Sequence, residues 1–148
     1  MKTIAAIFFI TSISLLGCSL LQRRGPDTSG CNVKYLNSKV FLLENINGYQ
    51  IDADLFYSNP PTLSFHRKEN KITGFAGCNR YFGSYKIIAD SILFGITGAT
   101  KMACNHLETE QKFLSGIGGQ KFRWSIVDER LVLMNEELTV IFRIKKGK

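Results

Sequence analysis

The chain has 148 residues and a formal charge of +7. That length fits one domain, with a core able to bury roughly two-thirds of the unfolded surface, and no repeated motif or low-complexity segment divides it. An excess of positive charge ordinarily points to nucleic acid, so where the chain resides decides what the charge can meet.

The first residues, MKTIAAIFFITSISLLGC, are a targeting segment. Lys2 forms a minimal positive region, and the apolar run from Ile4 to Leu16 is shorter than the ~20 residues of a spanning helix. It ends Leu15-Leu16-Gly17-Cys18. A small residue before a cysteine, after such a run, resembles the bacterial lipobox. That chemistry implies cleavage before Cys18 and acylation of its thiol and new amine, and several acyl chains together make the anchor stable. We therefore expect a signal peptide over 1–17, a lipidated N-terminus and tether over 18–37 and a domain over 38–146. The expected address is the cell envelope, with the chain lipid-anchored at the outer membrane and facing the periplasm. An exported chain seldom meets nucleic acid, so the anionic partners are lipid headgroups or cell-surface polymers. A monomer that engages another envelope protein is the expected state.

The stretch SLLQRRGPDTS from Ser19 to Ser29 shows neither helical nor strand period and reads as a spacer. Val40-Phe41-Leu42-Leu43 suits a first strand. Asn47-Gly48 then marks a tight hairpin, because both turn positions need φ > 0. Tyr49-Gln50-Ile51 returns, and Asn59-Pro60-Pro61 breaks the chain. From Thr62 to Lys68 the residues alternate, with Leu63 and Phe65 on one face and His66 on the other. A turn at Glu69-Asn70-Lys71 leads into Ile72–Ala76. The next strand is Tyr81–Ile88, where Gly83 suggests a bulge or a close backbone approach. Ala89-Asp90-Ser91 turns into Ile92–Ile96.

Asn105 reads as an N-cap with Glu108 at N3. Leu107, Phe113, Leu114 and Ile117 then fall near one helical face, and Gly116 and Gly118-Gly119 end the helix. Phe122–Val127, Leu131–Met134 and Leu138–Ile144 form a closing meander around Asp128-Glu129-Arg130 and Asn135-Glu136-Glu137. Short strands at this spacing, with one helix, predict an α+β fold that is mostly antiparallel β, an open-barrel-like curved sheet with the helix packed on it.

Besides Cys18 the cysteines are Cys31, Cys78 and Cys104. Outside the cytosol a pair more often bridges than binds metal. Cys78 and Cys104 flank two strands beside glycine-rich corners, and closing that loop would stabilise by roughly 3.5 kcal/mol. Pairings through Cys31 stay open. A zinc reading of Cys78, Cys104 and His106 lacks the close four-ligand pattern of structural sites, so no metal and no cofactor are expected.

The run Gly74-Phe75-Ala76-Gly77-Cys78-Asn79-Arg80-Tyr81-Phe82-Gly83-Ser84-Tyr85 resembles the signature of the META-domain or HslJ-like family. Phe94-Gly95-Ile96 through Thr100-Lys101-Met102-Ala103-Cys104 is similar to its second element, and Glu110 with Phe113-Leu114 to its helix. Leu131-Val132-Leu133 and Ile141-Phe142 fit its closing hairpin. The likeness runs from about Val40 to Ile144 and departs at the first strand, which lacks the family's tryptophan. The resemblance implies a small exported, often lipid-anchored bacterial protein with an open-barrel-like β fold and no established enzymatic activity. One branch of the family is heat-inducible and associated with novobiocin resistance.

Read as physical chemistry, the signature holds a shape. Gly74 and Gly77 permit positive φ or a close approach. Asn79 suits a left-handed or Asx corner. Tyr81, Phe82 and Tyr85 fill the core, and Met102 plugs a gap between sheet and helix. The functional alternative places Asn79, Arg80 and Tyr81 at the rim of a ligand cleft. Catalytic residues are not expected. The sequence carries no HExxH, GxSxG or phosphate loop. Glu108 and Glu110 point in different directions on the helix, His66 faces solvent and His106 sits in the helix's first turn. The reading is thus a non-catalytic envelope lipoprotein that binds or assists envelope proteins or contributes to stress or antibiotic tolerance. The alternative is a binder of a small apolar or lipid ligand in an open cleft.

Overall fold

A computed structural model describes residues 33–37, 39–51, 60–95, 98–103 and 107–146. Cys18, Cys31, Cys104, Asn105 and His106, with the whole of 1–17 and most of 18–37, lie outside the described residues. A four-residue helix, α1 (Val33–Leu36), precedes the strands. They are β1 (Val40–Ile46), β2 (Tyr49–Gln50), β3 (Thr62–His66), β4 (Lys71–Phe75), β5 (Arg80–Ile88), β6 (Ser91–Phe94) and β7 (Gly98–Ala99). Helix α2 (Leu107–Ile117) follows, then β8 (Lys121–Val127), β9 (Arg130–Met134) and β10 (Thr139–Ile144).

The strands form one antiparallel sheet in the order β10-β9-β8-β6-β5-β4-β3-β1-β2. The expected fold is present, with one refinement. β10 also pairs with β1, Phe41 opposite Ile144 and Leu43 opposite Phe142, so eight strands close into a barrel. Closure removes the two long edges that an open sheet would expose to other chains. The ladder shifts between Leu43 and Asn45, and a bulge there bends β1 into the closure. No such shift occurs at Gly83, which pairs in register with Ile72. The turn signals hold: Asn47 and Gly48 have φ of 49° and 85°. Asp128 and Glu129 form a second two-residue hairpin with φ of 48° and 60°.

Alternation sends one set of side chains inward. Phe41, Leu63, Phe65, Ile72, Tyr81, Ile92, Phe94, Phe122, Leu131, Leu133 and Phe142 are all nearly inaccessible. Edge-to-face pairs such as Phe65–Tyr85, with centroids 5.1 Å apart, tie β3 to β5 across β4. Helix α2 closes one end. Its buried stripe is Glu110, Phe113 and Ile117, and the Phe113 ring meets Tyr81 at 5.9 Å and Phe142 at 6.4 Å. Gly116 lies within the helix, and the chain leaves it at Gly119, whose φ is 75°. Leu107 is partly exposed and does not join the stripe.

Because neighbours run antiparallel, the turns at 67–70, 89–90 and 128–129, the start of β1 and the end of β10 gather at one end of the barrel. The Gly77-Cys78-Asn79 corner, α2 and the 135–138 turn gather at the other. Helix α1 packs at the first end. Leu36 is 1% exposed, and Asn37 bridges to Phe65 and accepts from the Arg67 amide. The four residues Val33–Leu36, expected in the tether, therefore pack on the barrel.

Candidate functional site

The signature corner joins β4 to β5. Ala76 is buried and its amide donates to the Asn79 carbonyl at 2.8 Å. Gly77 has φ 111°, a conformation that a Cβ would oppose. Gly74 meets the other need. A Cβ there would lie 2.0 Å from the Thr62 carbonyl oxygen and 2.5 Å from the Tyr81 ring. The close approach that the sequence suggested at Gly83 is thus required at Gly74.

Asn79 is 1% exposed and its φ is not positive. It does not cap its own corner; its amide joins three segments. Oδ1 accepts from the Thr100 hydroxyl and the Met102 amide, both at 2.8 Å. Nδ2 donates to Glu110 Oε1 at 2.8 Å and to the Met102 carbonyl at 3.4 Å. Glu110, 4% exposed, uses Oε2 to accept from the backbone amides of Cys78 and Asn79 at 3.2 and 2.5 Å. Every hydrogen-bonding position of the Asn79 amide is filled, and the carboxylate takes three N–H donors. An aspartate at position 79 could not supply the two donors, and an alanine at 110 would strand three.

The three residues proposed as a rim do not share one. Asn79 and Tyr81 point inward, while Arg80 is exposed on the outer face of β5. The Tyr81 hydroxyl donates to the Thr62 carbonyl at 2.7 Å, and burial pushes its pKa far above the ordinary tyrosine range, so it stays a donor. Two further expectations are corrected. Phe82 is 62% exposed, because it falls on the opposite strand parity from Tyr81 and Tyr85. Met102 is 59% exposed, and its backbone rather than its side chain does the packing at the corner. His66 is exposed, with a ring nitrogen 2.7 Å from the Thr73 hydroxyl.

Glu110 is the residue whose role the sequence reading missed. A charged residue sharing the stripe of Phe113 and Ile117 at i, i+3 and i+7 was the available signal, since a carboxylate on a buried face needs partners. Glu108, on the exposed side, pairs with Lys112 at 2.8 Å. Cys78 is disulfide-bonded, and its Sγ lies 3.9 Å from the Met102 carbonyl oxygen. No group of His, Cys, Asp and Glu suited to a metal occurs among the described residues. Chemically the corner is a clamp: it has acceptors and donors matched to one another, with no nucleophile set beside a base among the described residues.

A closed antiparallel barrel, one end plugged by a helix that a buried Asn–Glu pair locks to a glycine corner, defines the class. The chain belongs to the META domain family, whose model matches residues 34–147. A protein solved by NMR is 25% identical, with a TM-score of 0.59 over 75% of this chain and 92% of that one. A protein from Burkholderia xenovorans, also solved by NMR, is 23% identical, with a TM-score of 0.60 over 77% and 86%. A DUF4847-family protein from Bacteroides vulgatus is 11% identical and shares the fold, with a TM-score of 0.53 over 78% and 98%. Among curated proteins none matches the chain. META is not a known enzyme family.

Proposed function

We propose that this chain is a bacterial envelope lipoprotein whose META domain acts by binding rather than by catalysis. Cys18 carries the acyl chains, the residues after it tether the domain at the outer membrane, and the domain engages or assists other envelope proteins. Through them it contributes to stress tolerance or tolerance of novobiocin-type antibiotics. The carrying observation is that the two buried polar side chains of the corner are used up internally. Asn79 and Glu110 bond each other and the backbone, so they are unavailable to a substrate. The lipobox-like Leu15-Leu16-Gly17-Cys18 supports the anchor. Cys78 bonds Cys104 in this reading, supported by the short distance from Cys78 Sγ to Met102, two residues before Cys104.

Two experiments test it. Metabolic palmitate labelling should mark the protein and leave a Cys18→Ala variant unlabelled; equal labelling of both would remove the anchor. Crosslinking in cells should recover an envelope partner that is lost with the anchor, and recovery at background level would remove the partner.

A second reading, an apolar ligand, rests on one feature. The interior holds a continuous cluster of buried apolar side chains, but a groove of about 310 Å³ lies between α2 and the wall, lined by Ile46, Ile51, Phe113, Ile117, Leu138 and Val140. Native mass spectrometry of protein from its own host would show bound mass if this groove holds a ligand.

A further inference from the structure

At the end of the barrel where α1 enters lies a pocket of about 460 Å³, lined by Val33, Arg67, Asn70, Tyr85, Lys86 and Ile87. None of its lining side chains is acidic. Arg67 and Lys86 form no ion pair among the described residues, although other charges of the chain, such as Arg130 and Arg123, do find carboxylates. The Asn70 side chain, on a residue held at φ 52° in the turn, makes no hydrogen bond among the described residues. Tyr85 is 5% exposed and its ring packs on Phe65, yet its hydroxyl likewise makes no hydrogen bond among them. Tyr81, four residues earlier on the same face, does use its hydroxyl, on Thr62.

We propose that this pocket binds a phosphate group, held by the Arg67 guanidinium, the Asn70 amide and the Tyr85 hydroxyl, with Lys86 adding its charge at the rim from the outward face of β5, and that the phosphate is that of an anionic phospholipid headgroup. The donor set matches the ligand. Arginine presents a planar fork to two phosphate oxygens and lysine a point charge. The amide and the hydroxyl supply neutral donors for a third. Burial raises the Tyr85 pKa, against the opposing effect of Arg67, so the hydroxyl keeps its proton.

Position selects the source. The pocket includes Val33, where the described domain begins. Cys18 lies fifteen residues before it, and whatever conformation the intervening chain takes, it spans at most about 50 Å. Lys39, Arg67, Lys68, Lys145 and Lys146 are at the same end, by the strand order. A basic surface tethered this close to a bilayer meets anionic headgroups before any soluble anion. The apolar Val33 and Ile87 would flank the glycerol of such a lipid. The lipid assignment rests on the anchored reading above; the phosphate site does not.

The test uses the chain from Ser19 to Lys148, which leaves out only the leader and Cys18. Vesicles of phosphatidylcholine with phosphatidylglycerol added should bind it about tenfold more tightly than pure phosphatidylcholine, with the double variant R67A/K86A losing that preference. K101A/K121A, an equal loss of charge elsewhere, should change binding less than about threefold. Inorganic phosphate should shift the backbone amide resonances of Asn70, Tyr85 and Lys86, and Tyr85→Phe should weaken that response. Equal losses in the two double variants, or none in R67A/K86A, would overturn the proposal. Phosphate shifts at the pocket without any vesicle preference would keep the site and overturn the lipid. Failure of palmitate labelling at Cys18 would strike the anchor and the positional argument for a lipid source, and would leave the phosphate site standing, since these measurements use unanchored protein.

Discussion

At the corner end of the barrel, Asn79 and Glu110 turn their polar atoms toward each other and toward the backbone. At the end where α1 packs, Arg67, Asn70, Tyr85 and Lys86 line an open pocket. The first set is committed to holding the chain, whereas the side chains of the second make no hydrogen bond or ion pair among the described residues. Hydrogen-bond accounting separates the two.

The sharpest way to break the comparison is at Gly74. Its Cβ has no room between the Thr62 carbonyl and the Tyr81 ring, so Gly74→Ala should cost about 3 kcal/mol in urea denaturation, at the upper end for overpacking. A loss below about 1 kcal/mol would mean that the wall at Thr62 yields. The two tyrosines refine it. Tyr81→Phe strands a buried acceptor at Thr62 and should cost about 1–2 kcal/mol, whereas Tyr85→Phe should stay within about 0.5 kcal/mol while weakening phosphate binding. Similar losses in both would erase the distinction between the ends.

How much of this was legible without coordinates follows from how local each feature is. Asn47-Gly48 fixes its own hairpin, and Leu63 and Phe65 declare their face by alternation, so the strands and the fold class could be read directly. Closure could not. It depends on β1 meeting β10 across nearly the whole chain, with a bulge after Leu43 that no local signal marks. Phe82 and Met102 were misplaced because a large apolar residue was read as core without regard to strand parity or to the exposed segment that carries it. At the corner, Gly77 could be read from its chemistry, while the Asn79–Glu110 lock joins residues 31 apart and shows in sequence only as a charge on an apolar stripe.

Smaller effects sharpen the end where α1 packs. Glu129 holds φ 60° in the β8–β9 turn, a conformation that favours glycine, so Glu129→Gly should raise stability by about 1 kcal/mol. No gain would mean that the turn is relaxed as it stands. Near the closure, Arg130 donates to both oxygens of Glu44, at 2.7 and 3.2 Å. That hydrogen bond lowers the Glu44 pKa more than burial raises it, and the charges of Arg130 and Arg143 add to the lowering. A folded value below the unfolded one means that the contribution is complete above the unfolded carboxyl range and is lost as pH falls through the folded value. The urea midpoint should therefore decline on acidification slightly less in Arg130→Ala than in the parent. Parallel declines would show that this exposed pair contributes nothing.

The central claim, that the corner is a clamp, is tested most directly by a double-mutant cycle on Asn79→Ala and Glu110→Ala, followed by urea denaturation. A shared lock predicts that each single change costs about 3 kcal/mol and that the double costs less than their sum by at least about 1 kcal/mol. Singles that add to within about 0.5 kcal/mol, or that leave stability intact while abolishing a binding activity, would contradict it.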